Sequence, residues 1–417
     1  MSSHHQVLII GGGTAGIMTA AQLLRKRKGL DIGLIEPSDK HYYQPAWTLV
    51  GAGTFGFNKT IKNESKFIPR KVKWIKEKAA SIDPEGNRVI LGSGEEVTYD
   101  YLVVCPGIQI NVDALPGLKE TLGKNGVCSN YTDPEYTWEV LQEFKGGTAI
   151  FTQPTTPIKC GGAPQKIMYL AEDYFKRSGV KDSTTVKFVT PGSIIFGTPD
   201  FADTLNKVID RKDIQTRFFY GIERIDGEKK KVWFRLMNDK ATTPDAALGE
   251  AENEEGLVEM SFDMLHLAPP QSAPDFIQNS LIAVQEGPSK GWVEVDKHTL
   301  QHVRYPNVFS LGDVANLPTA KTGAAIRKQA PIVVENLLKM LDAGIVSDSQ
   351  YNGYSSCPLV TGYGKMVLAE FKYDNVRDSD PFLSKFMDTA KESWRMWILK
   401  KYGLPYLYWN RMLKGKM

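Results

Sequence analysis

Near the N-terminus a short apolar run, Val7 to Ile10, leads into Gly11-x-Gly13-x-x-Gly16 and then into a helix-forming stretch from Ile17 to Lys26. No other feature restricts the fold so strongly, because a buried strand joined to a helix by this glycine turn opens a βαβ dinucleotide-binding unit. Gly11 permits the tight turn, Gly13 lets the backbone approach a pyrophosphate, and Gly16 lets the helix lie close on the strand. Thr14 and Ala15 lie inside the turn, where the helix N-terminus offers amide donors and the positive end of its dipole. The next apolar run, Ile32 to Ile35, ends in Glu36, about 20 residues beyond the last glycine, where a ribose-binding acid belongs. An accidental glycine turn would not explain strand, helix, second strand and terminal acid in this order.

With 417 residues the chain can bury more than one core. Its net charge of +3 is too small to argue for a nucleic-acid partner, and no arginine-rich or aromatic-interleaved stripe suggests one. The four cysteines, Cys105, Cys128, Cys160 and Cys357, match neither a secreted disulfide framework nor a zinc signature, so no metal site is expected. The first strand is expected to begin at Val7, leaving no room for a secretory or transit segment unless one was removed before this numbering begins, and His4 and His5 read as an ordinary tail. No run of 18 apolar residues suggests a membrane span.

Two later segments bear on which dinucleotide is bound. Tyr305 to Asp313 (YPNVFSLGD) reads as an apolar strand ending in glycine and an acid, with a helix from about Thr322. It resembles the second flavin-binding motif of the two-dinucleotide-binding-domain flavoproteins, and Tyr99 to Gly107 (YDYLVVCPG) resembles their linker strand. The resemblance implies FAD. Relatives that oxidise NADH carry a second glycine fingerprint after the first strand of an inserted domain. Here that strand, Thr148 to Thr152, runs into ProThrThrProIleLysCysGlyGlyAlaPro instead. The expected fold is therefore α/β: two Rossmann-like domains followed by a C-terminal amphipathic helical membrane-docking segment. The FAD-binding domain is expected at 1–115 and 291–345, a second Rossmann-like domain without a nicotinamide fingerprint at 116–290, and a quinone and membrane-interface region at 346–417. The acidic run from Glu250 to Glu255 reads as a solvated loop.

Cys160 precedes a helical stretch, Pro164 to Lys176, with Gly161 and Gly162 making its turn. A thiolate at a helix N-terminus is stabilised by the dipole, and Lys166 one turn in adds to this, so a lowered pKa is expected. Cys357, followed by Pro358, reads as a loop residue. Spacing alone leaves open that the two are unrelated buried cysteines. Cys105, at the end of an apolar strand, reads as a small core residue, and a structural role is also favoured for Cys128. From Lys385 to Met417 six tyrosines and tryptophans alternate with lysines and arginines. That pattern suits a helix lying in a membrane interface, broken in two at Gly403 and Pro405, although a helical hairpin packed on its own protein fits as well.

GGGTAG, EPSDKHYYQPAWTLVGAG, IKCGGAPQKIMYL, LGDVANLPTAKT and SCPLVTGY together resemble the sulfide:quinone oxidoreductases, specifically the type II, mitochondrial-like group of the FAD-dependent pyridine nucleotide-disulfide reductases. The likeness spans nearly the whole chain. It implies that Cys160 and Cys357 form the redox pair, as a disulfide or trisulfide. It also implies FAD contacts at Thr14, Ala15, Glu36, Gln44, Ala79, Asp313 and Lys321, for the last of which a merely solvated lysine is the alternative. The implied reaction takes two electrons from hydrogen sulfide to ubiquinone or menaquinone. The sulfane sulfur leaves on a small acceptor: sulfide, sulfite, cyanide or glutathione. Tyr363 and Phe371 are candidates for lining a quinone pocket. The protein is expected on a membrane surface, the bacterial plasma membrane on its cytoplasmic side or the mitochondrial inner membrane, and a homo-oligomer is compatible with this. A type II NADH:quinone dehydrogenase and a non-catalytic flavin redox sensor are the competing interpretations.

Overall fold

The computed structural model describes residues 3–417. The apolar run at the start is the inner part of a longer strand, β1 (Ser3–Ile10), whose Val7, Leu8 and Ile9 are fully buried. It pairs in parallel with β2 (Ile32–Ile35) on one side and with Glu96–Val104 on the other. His4 and His5 are therefore part of the sheet and not a tail. The His5 ring is buried against Gly33, and its Nδ1 lies 3.0 Å from an Asp31 carboxylate oxygen. The helix α1 (Thr14–Lys26) covers this sheet and is itself buried from Ala15 to Leu23. That explains its small residues: a Cβ on Gly16 would stand 1.9 Å from the Gly11 carbonyl oxygen.

The sheet runs Lys73–Ile75, β2, β1, Glu96–Val104, Arg88–Leu91, Ala79–Asp83, and Val308–Ser310 adds in parallel beside Glu96–Val104. Strands from both ends of the sequence thus close one core. A second, fully parallel sheet is ordered Val127–Cys128, Met264–His266, Gly147–Thr152, Thr184–Thr190, Ile214–Phe218. A four-stranded antiparallel sheet formed by Tyr220–Asp226, Lys231–Leu236, Leu257–Ser261 and Glu250–Glu252 packs beside it. The acidic run begins in that last strand. Glu250 is buried, 2.8 Å from Lys187 and 2.7 Å from Arg217, because two buried cations require a counter-charge. Two crossings link these domains, and Gln109–Ile110 and Gln271–Ser272 pair with each other across them.

The remaining chain forms a hairpin, Ser355–Gly362 with Lys365–Phe371, and a C-terminal helical run. Cys357 lies in the first hairpin strand and not in a loop. A two-stranded ribbon leaves the outer edge of each strand free, so Pro358 can sit where its missing N–H is not needed by the partner. The C-terminal run is not broken at Gly403 and Pro405. Trp394–Ile398 continues through the π-helical turn Leu399–Gly403, then Leu404–Leu407, then a second π turn, Tyr408–Met412. Gly403 keeps helical angles (φ −69°, ψ −51°); wider π turns accommodate a proline that would otherwise stop the helix. Among the described residues no helix is long and apolar enough to cross a membrane.

Candidate active site

Cys160 sits just before the helix Ala163–Ser178, in a backbone conformation that a side chain rarely adopts, with φ of 52°. Such a left-handed residue costs about 1–3 kcal/mol and persists only where its surroundings hold it. Three hydrogen bonds do so here. The Cys160 N–H donates to the Lys321 carbonyl at 2.8 Å, and its carbonyl accepts from the Ala163 N–H at 2.7 Å and from the Tyr131 hydroxyl at 3.2 Å.

Cys357 approaches from the hairpin, which packs on this helix. The approach requires Gly162, where a Cβ would stand 2.5 Å from the Cys357 Sγ and 2.7 Å from a Leu359 methyl. The Cys357 Sγ lies against the turn that carries Cys160, and the Lys166 ammonium donates to the Cys160 Sγ at 3.1 Å. The residues in this cluster titrate differently. The neighbouring Cys357 thiol holds the Cys160 thiol well below its ordinary value, against the effect of burial and helped by the Lys166 charge. Cys357, facing the Cys160 sulfur and also buried, is pushed well above it. Burial pulls Lys166 down, but the two sulfurs more than offset this and hold it above its usual range. The cluster thus favours negative charge on the Cys160 sulfur beside a cation, with the proton held on Cys357.

The Cys160 loop also meets the segment that carries the second flavin-like motif. Asp313 is held above the ordinary carboxylate range by burial, and the Lys159 and Lys321 charges only partly offset this. Burial pushes Lys321 down to about 8 against the pull of Asp313. Its ammonium donates to the Ala315 carbonyl at 3.1 Å and lies 4.0 Å from the centre of the Trp292 ring. Lys159 donates to Gln44. Thr322 caps the long helix Gly323–Ala343 by accepting the Ala325 N–H, and its hydroxyl lies 2.8 Å from that of Ser355, two residues before Cys357. Cys160, Cys357, Gln44, Asp313 and Lys321 thus lie in one connected neighbourhood.

Gly11, Gly13, Thr14, Ala15 and Gly16 form the turn at the head of α1, and Glu36 accepts hydrogen bonds there from the Gly12 N–H at 2.8 Å and the Ser38 N–H at 2.7 Å. Ala79 starts an edge strand of the first sheet and packs against its core. Cys105 and Cys128 are buried, which pushes the first thiol far up and the second to about 12, so neither ionises near neutral pH. Tyr363 donates to the Ala52 carbonyl at 2.8 Å beneath the Arg177 guanidinium, and Phe371 packs edge-on against Phe196.

Several residues at the site carried no sequence signal. Lys400 looked like one of the basic residues facing lipid. It is instead 2 % exposed, donates to the Pro45 carbonyl at 2.7 Å, and is pushed down to about 7 by burial and by the Lys166 charge, with the two sulfurs pulling the other way. Tyr408 also turns inward, its hydroxyl 2.6 Å from both the Thr14 hydroxyl and His41 Nε2, while His41 Nδ1 lies 2.9 Å from Glu64. Helical spacing could have separated these inward residues from the exposed Trp394, Tyr402 and Tyr406, had the π turns not shifted the phase.

Comparison with known proteins agrees with this arrangement. Residues 5–139 match the pyridine nucleotide-disulphide oxidoreductase family model. The chain is 43 % identical to the mitochondrial sulfide:quinone oxidoreductase of Dictyostelium discoideum, covering 99 % of this chain and 86 % of that one. It is 38 % identical to the mouse mitochondrial sulfide:quinone oxidoreductase, over 99 % and 87 % respectively. The crystal structure of the Aquifex aeolicus sulfide:quinone oxidoreductase superposes with a TM-score of 0.78 at 20 % identity, covering 99 % of this chain and 92 % of that one, and so shares the fold. The chain belongs to the sulfide:quinone oxidoreductase family.

Proposed function

We propose that this protein oxidises hydrogen sulfide at Cys160 and Cys357 and delivers the electron pair, by way of FAD, to a quinone. The observation that carries this is the Lys166–Cys160–Cys357 cluster, tied by the Cys160 N–H to the backbone of Lys321. The chain's residues fit the flavin nucleotide. The first turn of α1 has no side-chain cap, and a Cβ on Gly13 would meet nothing within 4 Å, which leaves amide donors open to a pyrophosphate. Gly11, Gly13, Thr14, Ala15 and Gly16 would hold that pyrophosphate and Glu36 the ribose. Gln44, Ala79, Asp313 and Lys321 would complete the site. When bound, FAD supplies a two-electron acceptor that can be reoxidised by quinone.

The sulfur steps belong to the chain itself. With the pair oxidised to a disulfide, hydrosulfide attacks the Cys357 Sγ; a new S–S bond forms there, the Cys160–Cys357 bond breaks, and Cys160 departs as thiolate. The sulfur with the lower proton affinity is the better leaving group, and the Lys166 ammonium stabilises the anion. The outer sulfur of the Cys357 persulfide then passes to a small nucleophile, sulfide, sulfite, cyanide or glutathione, which leaves two thiols. Their reoxidation to the disulfide releases two electrons and two protons, the quantity that converts one quinone to its quinol.

The quinone requirement supports a position at a membrane. Phe382, Phe386, Trp394, Tyr402 and Tyr406, each 60–67 % exposed, offer aromatic rings to the interface, and the Dictyostelium and mouse relatives named above are mitochondrial. We therefore assign it to the surface of a quinone-bearing membrane such as the mitochondrial inner membrane. Cys160→Ser and Cys357→Ser test the reaction: each should keep FAD yet lose sulfide-dependent quinone reduction. Unimpaired turnover in both, or flavin bleaching by NADH in place of sulfide, would refute it.

A further inference from the structure

Beside the C-terminal run lies an open groove of about 450 Å³, lined by Ile61, Lys62, Asn63, Lys66, Phe67, Trp409, Asn410 and Lys414. It is remote in function from the sulfur chemistry, and the reaction uses none of these residues. Three lysines point into one space. The nearest carboxylate in sequence, Glu64, is buried and engaged by His41. Crowding is visible in Lys62, held below its ordinary value by partial burial first and then by the charges of Lys66 and Lys414. The Lys62 ammonium lies 4.5 Å from the centre of the Trp409 ring, which stacks on Phe67 with centroids 5.0 Å apart. A cationic space with an aromatic floor and two amide side chains favours an anion whose oxygens accept several hydrogen bonds. Trp409 and Asn410 belong to the same helical run as the exposed Tyr402 and Tyr406, and Asn410 donates to the Tyr406 carbonyl. The groove is thus built in part from the same helical run that presents aromatics to solvent.

From this placement we propose that the groove of Lys62, Lys66 and Lys414 is a binding site for the phosphate of an anionic phospholipid, orienting the protein on its membrane. The inference rests on the membrane docking proposed above and adds to it a defined headgroup site. Each lysine near an anionic surface contributes about a fivefold change in partitioning.

Flotation of the FAD-loaded protein with vesicles of phosphatidylcholine alone, or with about one fifth phosphatidylglycerol, tests the site. Wild type should prefer the phosphatidylglycerol vesicles. Lys62→Gln/Lys414→Gln should lose about 25-fold on these vesicles and nothing on phosphatidylcholine, with FAD content unchanged. Lys240→Gln/Lys290→Gln, which removes the same charge at two exposed positions outside the groove, should lose much less. Equal losses from the two pairs would show a diffuse field and overturn the groove. Wild type that binds both vesicles alike, with the groove variant unaffected, would overturn the groove while leaving docking intact. Binding to neither would remove docking and the groove together. Inorganic phosphate that perturbs tryptophan emission in wild type but not in the groove variant, without any vesicle preference, would assign the site to a free anion and overturn the lipid.

Discussion

Replacing Lys400 by methionine should stabilise the protein, and the gain should depend on pH. The ammonium is buried beside Lys166, and its proton affinity falls from the ordinary 10.5 to about 7. At about 1.4 kcal/mol per tenfold change in proton affinity, keeping the charge in place costs about 5 kcal/mol. Below pH 7 Lys400 is charged in both the folded and the unfolded chain, so wild type carries the whole cost. Between pH 7 and 10.5 the folded chain has released the proton and the unfolded chain has not. The cost therefore shrinks by about 1.4 kcal/mol per pH unit and vanishes above 10.5. Methionine fills a similar volume but leaves the Pro45 carbonyl without its donor, a loss of about 1 kcal/mol. Lys400→Met should thus be more stable than wild type by about 4 kcal/mol at pH 6, and less stable by about 1 kcal/mol near pH 10.5. Urea unfolding followed by tryptophan fluorescence at five pH values gives the difference directly. A gap that does not change with pH would refute the reasoning, as would a variant weaker than wild type at pH 6. In a Cys160→Ser background, which removes an anion that supports the Lys400 charge, the gain at pH 6 should be larger still.

Lys166→Met removes a charge-assisted hydrogen bond of about 1.5–3 kcal/mol; iodoacetamide labelling of reduced Cys160 should then need a higher pH and slow at least about tenfold at neutrality, and an unshifted profile would count against the pairing. Gly162→Ala forces a methyl to within 2.5 Å of the Cys357 Sγ, so the variant should retain FAD but form the disulfide poorly, as read by free thiols after oxidation. Tyr408→Phe removes the hydroxyl shared by Thr14 and His41, at about 1–3 kcal/mol, and should release FAD at lower urea concentration; an unchanged release midpoint would show that the hydroxyl does not brace the turn. Thr322→Ala removes the cap of the long helix and should lower stability by about 1 kcal/mol without altering FAD content.

What could be read from the sequence was local chemistry. The glycine turn and Glu36 announce themselves because strand, turn, helix and acid follow one another within about 30 residues. Cys160 does so because its helix starts three residues on. Cys357 was recognisable as a partner only through family likeness, and its strand was hidden by Pro358, which marks turns except on a free edge. Glu250 looked solvated because the cations that bury it, Lys187 and Arg217, come from two other strands. Lys400 was misjudged for a related reason: a helix rich in lysines and aromatics has two faces, and composition does not say which one turns inward. His5 was lost to position alone, since a short polar start resembles a tail until its ring is seen to cover Gly33.

The hydroxyl of Tyr408 meets that of Thr14 across 394 positions of sequence. A ribosome releases the glycine turn long before it has made the residue that closes over it, so that turn must wait, unsupported, for a side chain made 394 positions later. Native pairs this distant in sequence slow folding, and nascent chains that stall before position 408 should depend on chaperones to a degree that full-length chains do not.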